Sequence, residues 1–146
     1  MPDSSESVTT IPAVLTDTLG RHYDVAMTDY GDVLDMHILW KRTAVGFIRC
    51  FLEADHEMVL DDIIVFKHVM FKHSYIPFLK RQQSFRGCGL GSEMLDFVIS
   101  EAKSRHIKRI SGWIQGEEGN EAVSLPNWYQ KHGFMVTGTS FYFELR

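Results

Sequence analysis

The chain has 146 residues, of which 45% are hydrophobic and 23% are charged. This size and composition suffice for a buried core, which excludes an intrinsically disordered chain and predicts a single domain over residues 1–146. The net charge of −4, from 15 lysines and arginines against 19 aspartates and glutamates, disfavours a nucleic-acid partner.

Several absences predict a cytoplasmic protein without a metal site. Residues 1–7 are polar and are expected to fray, and they lack the basic and apolar stretches of a secretory signal. No apolar run reaches the roughly 20 residues of a membrane span. Cys50 and Cys88 lie in unrelated contexts, so no disulfide framework is expected, and Cys50 is interpreted as a small buried hydrophobe. The seven histidines lack the spacing of metal ligands.

Residues 8–66 follow a strand pattern that is interrupted by short polar breaks. Strands are predicted at residues 22–28, 33–40, 44–52 and 58–66, which are rich in strand-forming residues. Breaks of only a few residues can connect consecutive strands as hairpins but are too short for crossover connections. The first half is therefore predicted to be an antiparallel meander.

The second half changes to helical periodicity. Apolar residues from Leu90 to Ala102 recur at i, i+3 and i+4 spacing, which predicts an amphipathic helix of about four turns. A strand is predicted at residues 107–115, and a loop at residues 116–120.

The chain ends with the pattern of a short helix and a hairpin. Ser124 is a suitable N-cap and Gly133 a suitable C-cap for the helix. Strands at residues 134–137 and 141–145 would turn at Gly138. The last strand is predicted to be an exposed edge on which a homodimer can form. The order of strands and helices favours an α+β, or mixed α/β, fold.

Directly before the long predicted helix lies Arg86-Gly87-Cys88-Gly89-Leu90-Gly91-Ser92. Alternating glycines let the backbone turn sharply, and free N–H groups at a helix N-terminus form an anion site that suits a phosphate. Arg86 can add a charge-assisted contact. The alternative is a glycine turn that only starts the helix. The spacing matches neither a P-loop nor a dinucleotide fingerprint, which disfavours nucleoside triphosphates and nicotinamide cofactors.

Two motifs in the second half resemble a known superfamily. Arg86-x-x-Gly89-x-Gly91 resembles the R/Q-x-x-G-x-G/A signature of the GNAT N-acetyltransferases. Residues 127–134 resemble the YxKxGF segment of the same superfamily, and residues 22–57 fit it as a strand pattern. The resemblance implies a central, mostly antiparallel mixed sheet with a splayed strand pair and flanking helices. It also implies acetyl-CoA as the co-substrate.

The resemblance implies which residues bind coenzyme A. The pyrophosphate would rest on the backbones of Arg86, Gly87, Cys88, Gly89, Leu90, Gly91 and Ser92. The strand at residues 58–66 would splay from its neighbour, so that Ile63, Ile64 and Val65 contact the pantetheine arm. Cys88 is interpreted as a loop filler, because no local residue can act as the base that a catalytic thiol needs.

The resemblance also implies a reaction, the transfer of acetyl from acetyl-CoA to a primary amine by direct attack in a ternary complex. Tyr129 corresponds to the general acid of the superfamily. The alternative interpretation of Tyr129 is a core aromatic residue, and Trp128 is interpreted as a core residue. Asp62 is the preferred base, and Asp61 is expected on the opposite face of the strand.

Some alternatives stay open at the level of the sequence. Glu53 and Glu57 are the alternative bases, and Phe134 is interpreted as a core residue. The alternative to an enzyme is a sensor or interaction module that binds acetyl-CoA without turnover. The acceptor, a small-molecule or peptide amine, is not identified, and neither are the length of the acyl group and the oligomeric state.

Two departures from the superfamily concern the acceptor side. Two helices that usually follow the first strand have no counterpart between Met27 and Val33, and residues 67–85 form a basic, aromatic insert. We hypothesise that this insert replaces the missing acceptor wall; a partner- or dimer-binding flap and a solvated loop are the alternatives. Its charge suggests an acidic or phosphate-bearing acceptor, or a contact with the 3′-phosphate of the coenzyme.

Overall fold

A computed structural model describes residues 7–66, 69–72, 80–83, 85–114 and 120–145. The first five strands are β1 (Ser7–Thr16), β2 (His22–Asp29), β3 (Val33–Trp40), β4 (Thr43–Glu53) and β5 (Glu57–Val65). Each pairs antiparallel with the next, so the predicted meander is confirmed. Of the end that was predicted to fray, residues 1–6 lie outside the described part, and Ser7 begins β1.

The second half contains the helices. Its elements are β6 (Val69–Lys72), β7 (Lys80–Gln83), α1 (Leu90–Ser104), β8 (Arg109–Trp113), α2 (Asn120–Lys131), β9 (Met135–Thr137) and β10 (Ser140–Glu144). β6 and β7 pair with each other as a separate antiparallel hairpin within the predicted insert. Neither described helix is long and apolar enough to cross a membrane.

The other eight strands form one sheet in the order β1-β2-β3-β4-β5-β8-β10-β9. β5 and β8 are parallel, and every other pair of neighbours is antiparallel. Short turns at residues 17–21 and 30–32 join the first three strands, so no helix lies between Met27 and Val33, as the sequence predicts. The predicted α+β fold with a mostly antiparallel mixed sheet is confirmed.

The hydrophobic core lies between the sheet and α1. The helix buries Met94, Leu95 and Val98 completely, at the spacing that the sequence pattern predicts. On β2, Tyr23 and Val25 are buried at a period of two. Each such side chain contributes about 1.5–3 kcal/mol to folding. This packing fixes α1, and with it the glycine-rich loop, against β1 and β5.

Two predictions about the C-terminal part were wrong. β10 lies between β8 and β9, so it is not an exposed edge; β1 and β9 are the outer strands of the described sheet. α2 begins at Asn120 rather than Ser124, so Pro126 lies inside the helix. The proline ring removes one backbone hydrogen bond there without ending the helix. Gly133 and Gly138 occupy the predicted turns with φ angles of 92° and 61°.

Candidate active site

β5 and β8 form a fork in the sheet. They pair at only three positions, which end at Val59 and Ser111. β5 keeps its other neighbour, β4, as far as Val65. Between Val59 and Val65 the backbone therefore borders a gap of about 20 Å in length. This is the splayed geometry that was expected for residues 58–66.

A β-bulge interrupts β5 inside the fork. Arg49 of β4 is opposite Asp62, and Cys50 is opposite Leu60, which leaves Asp61 as an extra residue. An extra residue breaks the alternation of side chains along a strand. Asp61 and Asp62 consequently line the same cavity. The prediction that they lie on opposite faces was wrong.

A cavity of about 1060 Å³ occupies the fork and reaches the glycine-rich loop. Its walls come from β5, the loop before α1, the end of β8, and α2. The lining residues are Asp61, Asp62, Ile63, Ile64, Val65, Phe85, Arg86, Gly87, Gly89, Gly91, Ser92, Trp113, Ile114, Leu125, Asn127, Trp128, Tyr129, Gln130 and Lys131. Both predicted catalytic residues and all but two of the predicted cofactor contacts are among them.

Cys88 and Leu90 are the two exceptions, because their side chains point into the core and are 4% and 1% exposed. The Cys88 thiol donates to the carbonyl of Phe85 at 2.9 Å. Only the backbone of these two residues can face a ligand, which is the role that the resemblance implied. Among the described residues, no three His, Cys, Asp or Glu side chains are grouped as metal ligands.

The N-terminus of α1 has the geometry of an anion site. Gly89 is the N-cap, with a φ of 81°, and its carbonyl accepts the N–H of Glu93 at 3.1 Å. Any other residue at position 89 would have a strained backbone at this φ, and its Cβ would lie 3.1 Å from the Thr18 methyl group. The first N–H groups of a helix lack intrahelical partners, and the helix dipole favours an anion beside them. These residues fit a pyrophosphate.

The turn between β1 and β2 holds the glycine-rich loop in place. The N–H and the hydroxyl of Thr18 both donate to the Cys88 carbonyl, at 2.8 and 2.9 Å. Asp17 fixes this turn by accepting from two backbone N–H groups, from Arg21 Nε at 2.8 Å and from the Tyr23 hydroxyl. Burial raises the pKa of Asp17, but these hydrogen bonds outweigh it and hold the pKa below its usual range. Sequence reasoning missed this support, because it joins residues 70 positions apart.

Tyr129 lies on α2 and is only 5% exposed. Its ring stacks on Phe141 at 4.1 Å and meets Trp128 edge-on at 4.9 Å. Its hydroxyl has no hydrogen-bond partner among the described residues, although the side chain lines the cavity. Burial raises the pKa of Tyr129 to about 12, so the phenol keeps its proton at neutral pH.

Gly112 of β8 brings Tyr129 to the fork. A Cβ on Gly112 would lie 2.6 Å from the Phe141 ring and 2.7 Å from the Leu60 carbonyl oxygen. Only glycine at position 112 lets the Phe141 ring and the Leu60 carbonyl come this close to β8. The ring on which Tyr129 stacks therefore lies close to the residue that precedes Asp61.

The cavity consequently has two chemically different ends. The fork end is formed by Asp61, Asp62 and Tyr129. The cradle end is formed by the glycine-rich loop and by Arg86, whose Nε donates to the Val65 carbonyl at 2.9 Å. The exposed side of β5 connects the two ends.

Trp128 of α2 and His132, which directly follows α2, both contact the first turn of α1. Trp128 Nε1 donates to Ser92 Oγ at 3.2 Å, and His132 Nε2 lies 3.0 Å from the same oxygen. His132 Nδ1 lies 3.3 Å from the Asp96 carboxylate. Trp128, which was interpreted as a core residue, packs against the core, but it is only half-buried and also lines the cavity. Phe134, at 3% exposed, belongs to the core as predicted.

Asp62, the predicted base, lies in surroundings that raise its pKa. Burial raises its pKa, the charge of Asp61 raises it further, and Arg49 opposes both effects. A carboxylate with a raised pKa accepts a proton more readily near neutral pH. Glu53 and Glu57, the alternative bases, do not line the cavity.

Solved acetyltransferases share this fold. The PaiA N-acetyltransferase of Thermoplasma acidophilum, in complex with coenzyme A, is 16% identical with a TM-score of 0.55, over 78% of this chain and 62% of that one. A GNAT family acetyltransferase of Elizabethkingia anophelis with acetyl-CoA bound is 17% identical with a TM-score of 0.55, over 78% and 77%. An IAA acetyltransferase of Bacillus cereus is 16% identical with a TM-score of 0.57, over 80% of both chains.

The family comparison agrees with the geometry of the site. No curated protein matches the chain. The model of the acetyltransferase (GNAT) family matches residues 15–134. This range contains the fork, the glycine-rich loop and Tyr129. The chain therefore belongs to the GNAT acetyltransferase family.

Proposed function

We propose that this protein transfers an acetyl group from acetyl-CoA to a primary amine in a ternary complex. The observation that carries the proposal is the cavity that joins an anion site at a helix N-terminus to the open side of β5 and to the buried phenol of Tyr129. Family membership, and the coenzyme A or acetyl-CoA in two of the related structures, support the identity of the donor.

In this proposal the donor spans the cavity from the cradle end to the fork end. Its pyrophosphate accepts hydrogen bonds from the first N–H groups of α1, with Arg86 beside it. Its pantetheine arm follows the open side of β5, where backbone amides can pair with it as with another strand. Ile63, Ile64 and Val65 line this path. The thioester then lies near Asp62 and Tyr129.

The residues at the fork end supply the proton transfers. Asp62 takes a proton from the ammonium group of the acceptor through water and releases it to solvent. The neutral nitrogen attacks the thioester carbonyl carbon, the C–N bond forms, and the C–S bond breaks while the sulfur takes the Tyr129 proton. The nitrogen then loses its second proton, which restores the Tyr129 hydroxyl through water. The products are an N-acetyl amine and the free thiol of coenzyme A.

Two assays test this function. Titration calorimetry measures acetyl-CoA binding, and a thiol-reactive dye measures the release of coenzyme A with a panel of primary amines. Binding together with amine-dependent thiol release supports the transferase. Binding without thiol release from any amine would assign the chain to the alternative sensor or interaction module. A folded protein that binds no acetyl-CoA would contradict both.

We further propose that the β6–β7 hairpin closes the acceptor side in place of the two missing helices. The hairpin leaves the sheet just after β5 and returns just before the glycine-rich loop. Val69 is opposite Gln83 and Lys72 is opposite Lys80, so the segment folds back on itself between β5 and the glycine-rich loop, both of which line the cavity. Residues 67–68, 73–79 and 84 of the insert lie outside the described part of the chain.

A further inference from the structure

The fork end carries two carboxylates that form no direct ion pair with any described residue. Asp61 and Asp62 line the cavity side by side, and neither forms an ion pair within the described part of the chain. Arg49 is opposite Asp62 in the sheet, but a different carboxylate holds it. Its Nε and Nη2 donate to the two oxygens of Asp35, both at 2.8 Å. Arg49 still acts on Asp61 and Asp62 through space, but its two short hydrogen bonds are made to Asp35, so the two carboxylates of the fork have no cation in direct contact among the described residues.

Two aromatic side chains at the same cavity independently indicate a ligand there. The Tyr129 side chain is buried, lines the cavity, and leaves its hydroxyl unpaired among the described residues. Trp113, at the end of β8, lines the cavity while 66% exposed. The face of an exposed indole attracts a cation, because it is electronegative.

Resting on the proposed function, we infer that the acceptor is an amine with a second cationic group, such as a short α,ω-diamine. Asp61 binds the second cation, while Asp62 accepts the proton from the reacting nitrogen. Two carboxylates on consecutive residues suit two ammonium groups that a short chain connects. A carboxylate or phosphate on the acceptor would be repelled at this position.

The charges of the cavity also direct the donor and the acceptor to different ends of it. The cradle end, with Arg86 and the positive end of the α1 dipole, attracts the pyrophosphate of the donor. The fork end repels phosphates and attracts cations. A dicationic acceptor therefore gains no affinity at the cradle end, and the phosphates of the donor gain none at the fork end. This selectivity differs from the acidic acceptor that the basic insert suggested.

Three amines of similar length test the inference: 1,4-diaminobutane, butylamine and 4-aminobutanoate. They carry a second cation, no second charge and an anion, respectively. We expect kcat/KM per amino group to be about tenfold higher for the diamine than for butylamine at low salt, and lowest for 4-aminobutanoate. Asp61→Asn should reduce the preference for the diamine to about threefold or less. Asp55→Asn, which removes an exposed carboxylate outside the cavity, should leave the preference unchanged.

A binding measurement keeps the inference separate from the proposed function. Calorimetry with protein saturated with coenzyme A measures diamine binding without turnover. We expect 1,4-diaminobutane to bind more tightly than butylamine, and Asp61→Asn to abolish the difference. Equal binding of the two amines, or an Asp61→Asn variant that keeps the preference, would overturn the inference. Thiol release that does not depend on any amine would overturn the proposed function instead.

Discussion

Thr18 and Cys88 are joined by two hydrogen bonds, from the N–H and the hydroxyl of Thr18 to the carbonyl of Cys88, at 2.8 and 2.9 Å. The first residue belongs to the turn after β1, and the second to the glycine-rich loop before α1. The loop therefore depends on more than its own glycines for its shape. Because Asp17 fixes the turn, the affinity for the donor should depend on a carboxylate that does not line the cavity.

Asp17→Asn should lower the free energy of unfolding at pH 7 by about 2–4 kcal/mol and weaken acetyl-CoA binding, because the buried carboxylate accepts four hydrogen bonds. The pKa of Asp17 is lowered in the folded state. Its contribution is therefore complete above the pKa of the unfolded chain and is lost as pH falls through the folded value. Urea unfolding measures the loss of stability, which should be smaller at pH 3 than at pH 7, and calorimetry measures acetyl-CoA binding. Asp32→Asn, in the exposed turn before β3, is the control, and equal stability of the two variants at pH 7 would refute this role.

Tyr129→Phe should lower kcat about 100-fold and leave the Kd for acetyl-CoA and the stability nearly unchanged. The ring keeps its stacking on Phe141, and the hydroxyl has no hydrogen bond to lose within the described part of the chain. With a pKa of about 12, the phenol stays protonated, so this residue causes no fall in kcat between pH 7 and pH 10. Steady-state kinetics over this range check the prediction. An unchanged kcat would show that Tyr129 is only a packing residue.

Asp62→Asn should separate activity from stability. The loss of the base lowers kcat/KM about 100-fold and removes the acidic limb of its pH profile. The pKa of Asp62 is raised in the folded state, so its stabilising contribution is complete at low pH and is lost as pH rises through the folded value. The amide should therefore raise the free energy of unfolding at pH 7, by at most about 1 kcal/mol after screening by solvent, and have no effect at pH 3. A destabilised variant at pH 7 would indicate that Asp62 has a structural partner.

Replacing residues 73–79 by an Asn-Gly turn should raise the KM for the acceptor much more than the KM for acetyl-CoA. Lys72 and Lys80 are opposite each other in the hairpin, and a two-residue turn can join them while their register is kept. The replacement removes the segment that connects β6 to β7 without touching the glycine-rich loop. Steady-state titration of each substrate provides the comparison. Equal changes in both KM values would contradict the acceptor-wall role.

The sequence predicted the meander, α1 and the glycine-rich loop, because local patterns determine them. The period of two in β2 and the helical spacing from Leu90 to Ala102 each specify one element. The likeness of residues 86–91 and 127–134 to a known superfamily then placed Tyr129 and the loop in one site. Both line the observed cavity.

The features that the sequence did not predict depend on register and on distant contacts. Asp61 and Asp62 share a cavity only because β5 contains a bulge, and a period of two cannot show where a bulge occurs. The position of β10 inside the sheet depends on pairing with β8, which local patterns leave open. The hydrogen bond of Trp128 to Ser92 was not predicted, because Ser92 lies on another helix.

Calorimetric titration of acetyl-CoA into the wild type, Gly91→Glu and Ser100→Glu tests the central claim most directly. A Cβ at Gly91 would only touch Trp128 at 3.6 Å, so the first variant can fold, and its carboxylate lies where the pyrophosphate would bind. Ser100→Glu adds the same charge to an exposed position of α1 outside the cavity. We expect saturable one-site binding to the wild type and to Ser100→Glu, and none to folded Gly91→Glu. Absence of binding to the folded wild type, or undiminished binding to Gly91→Glu, would show that the loop only starts a helix.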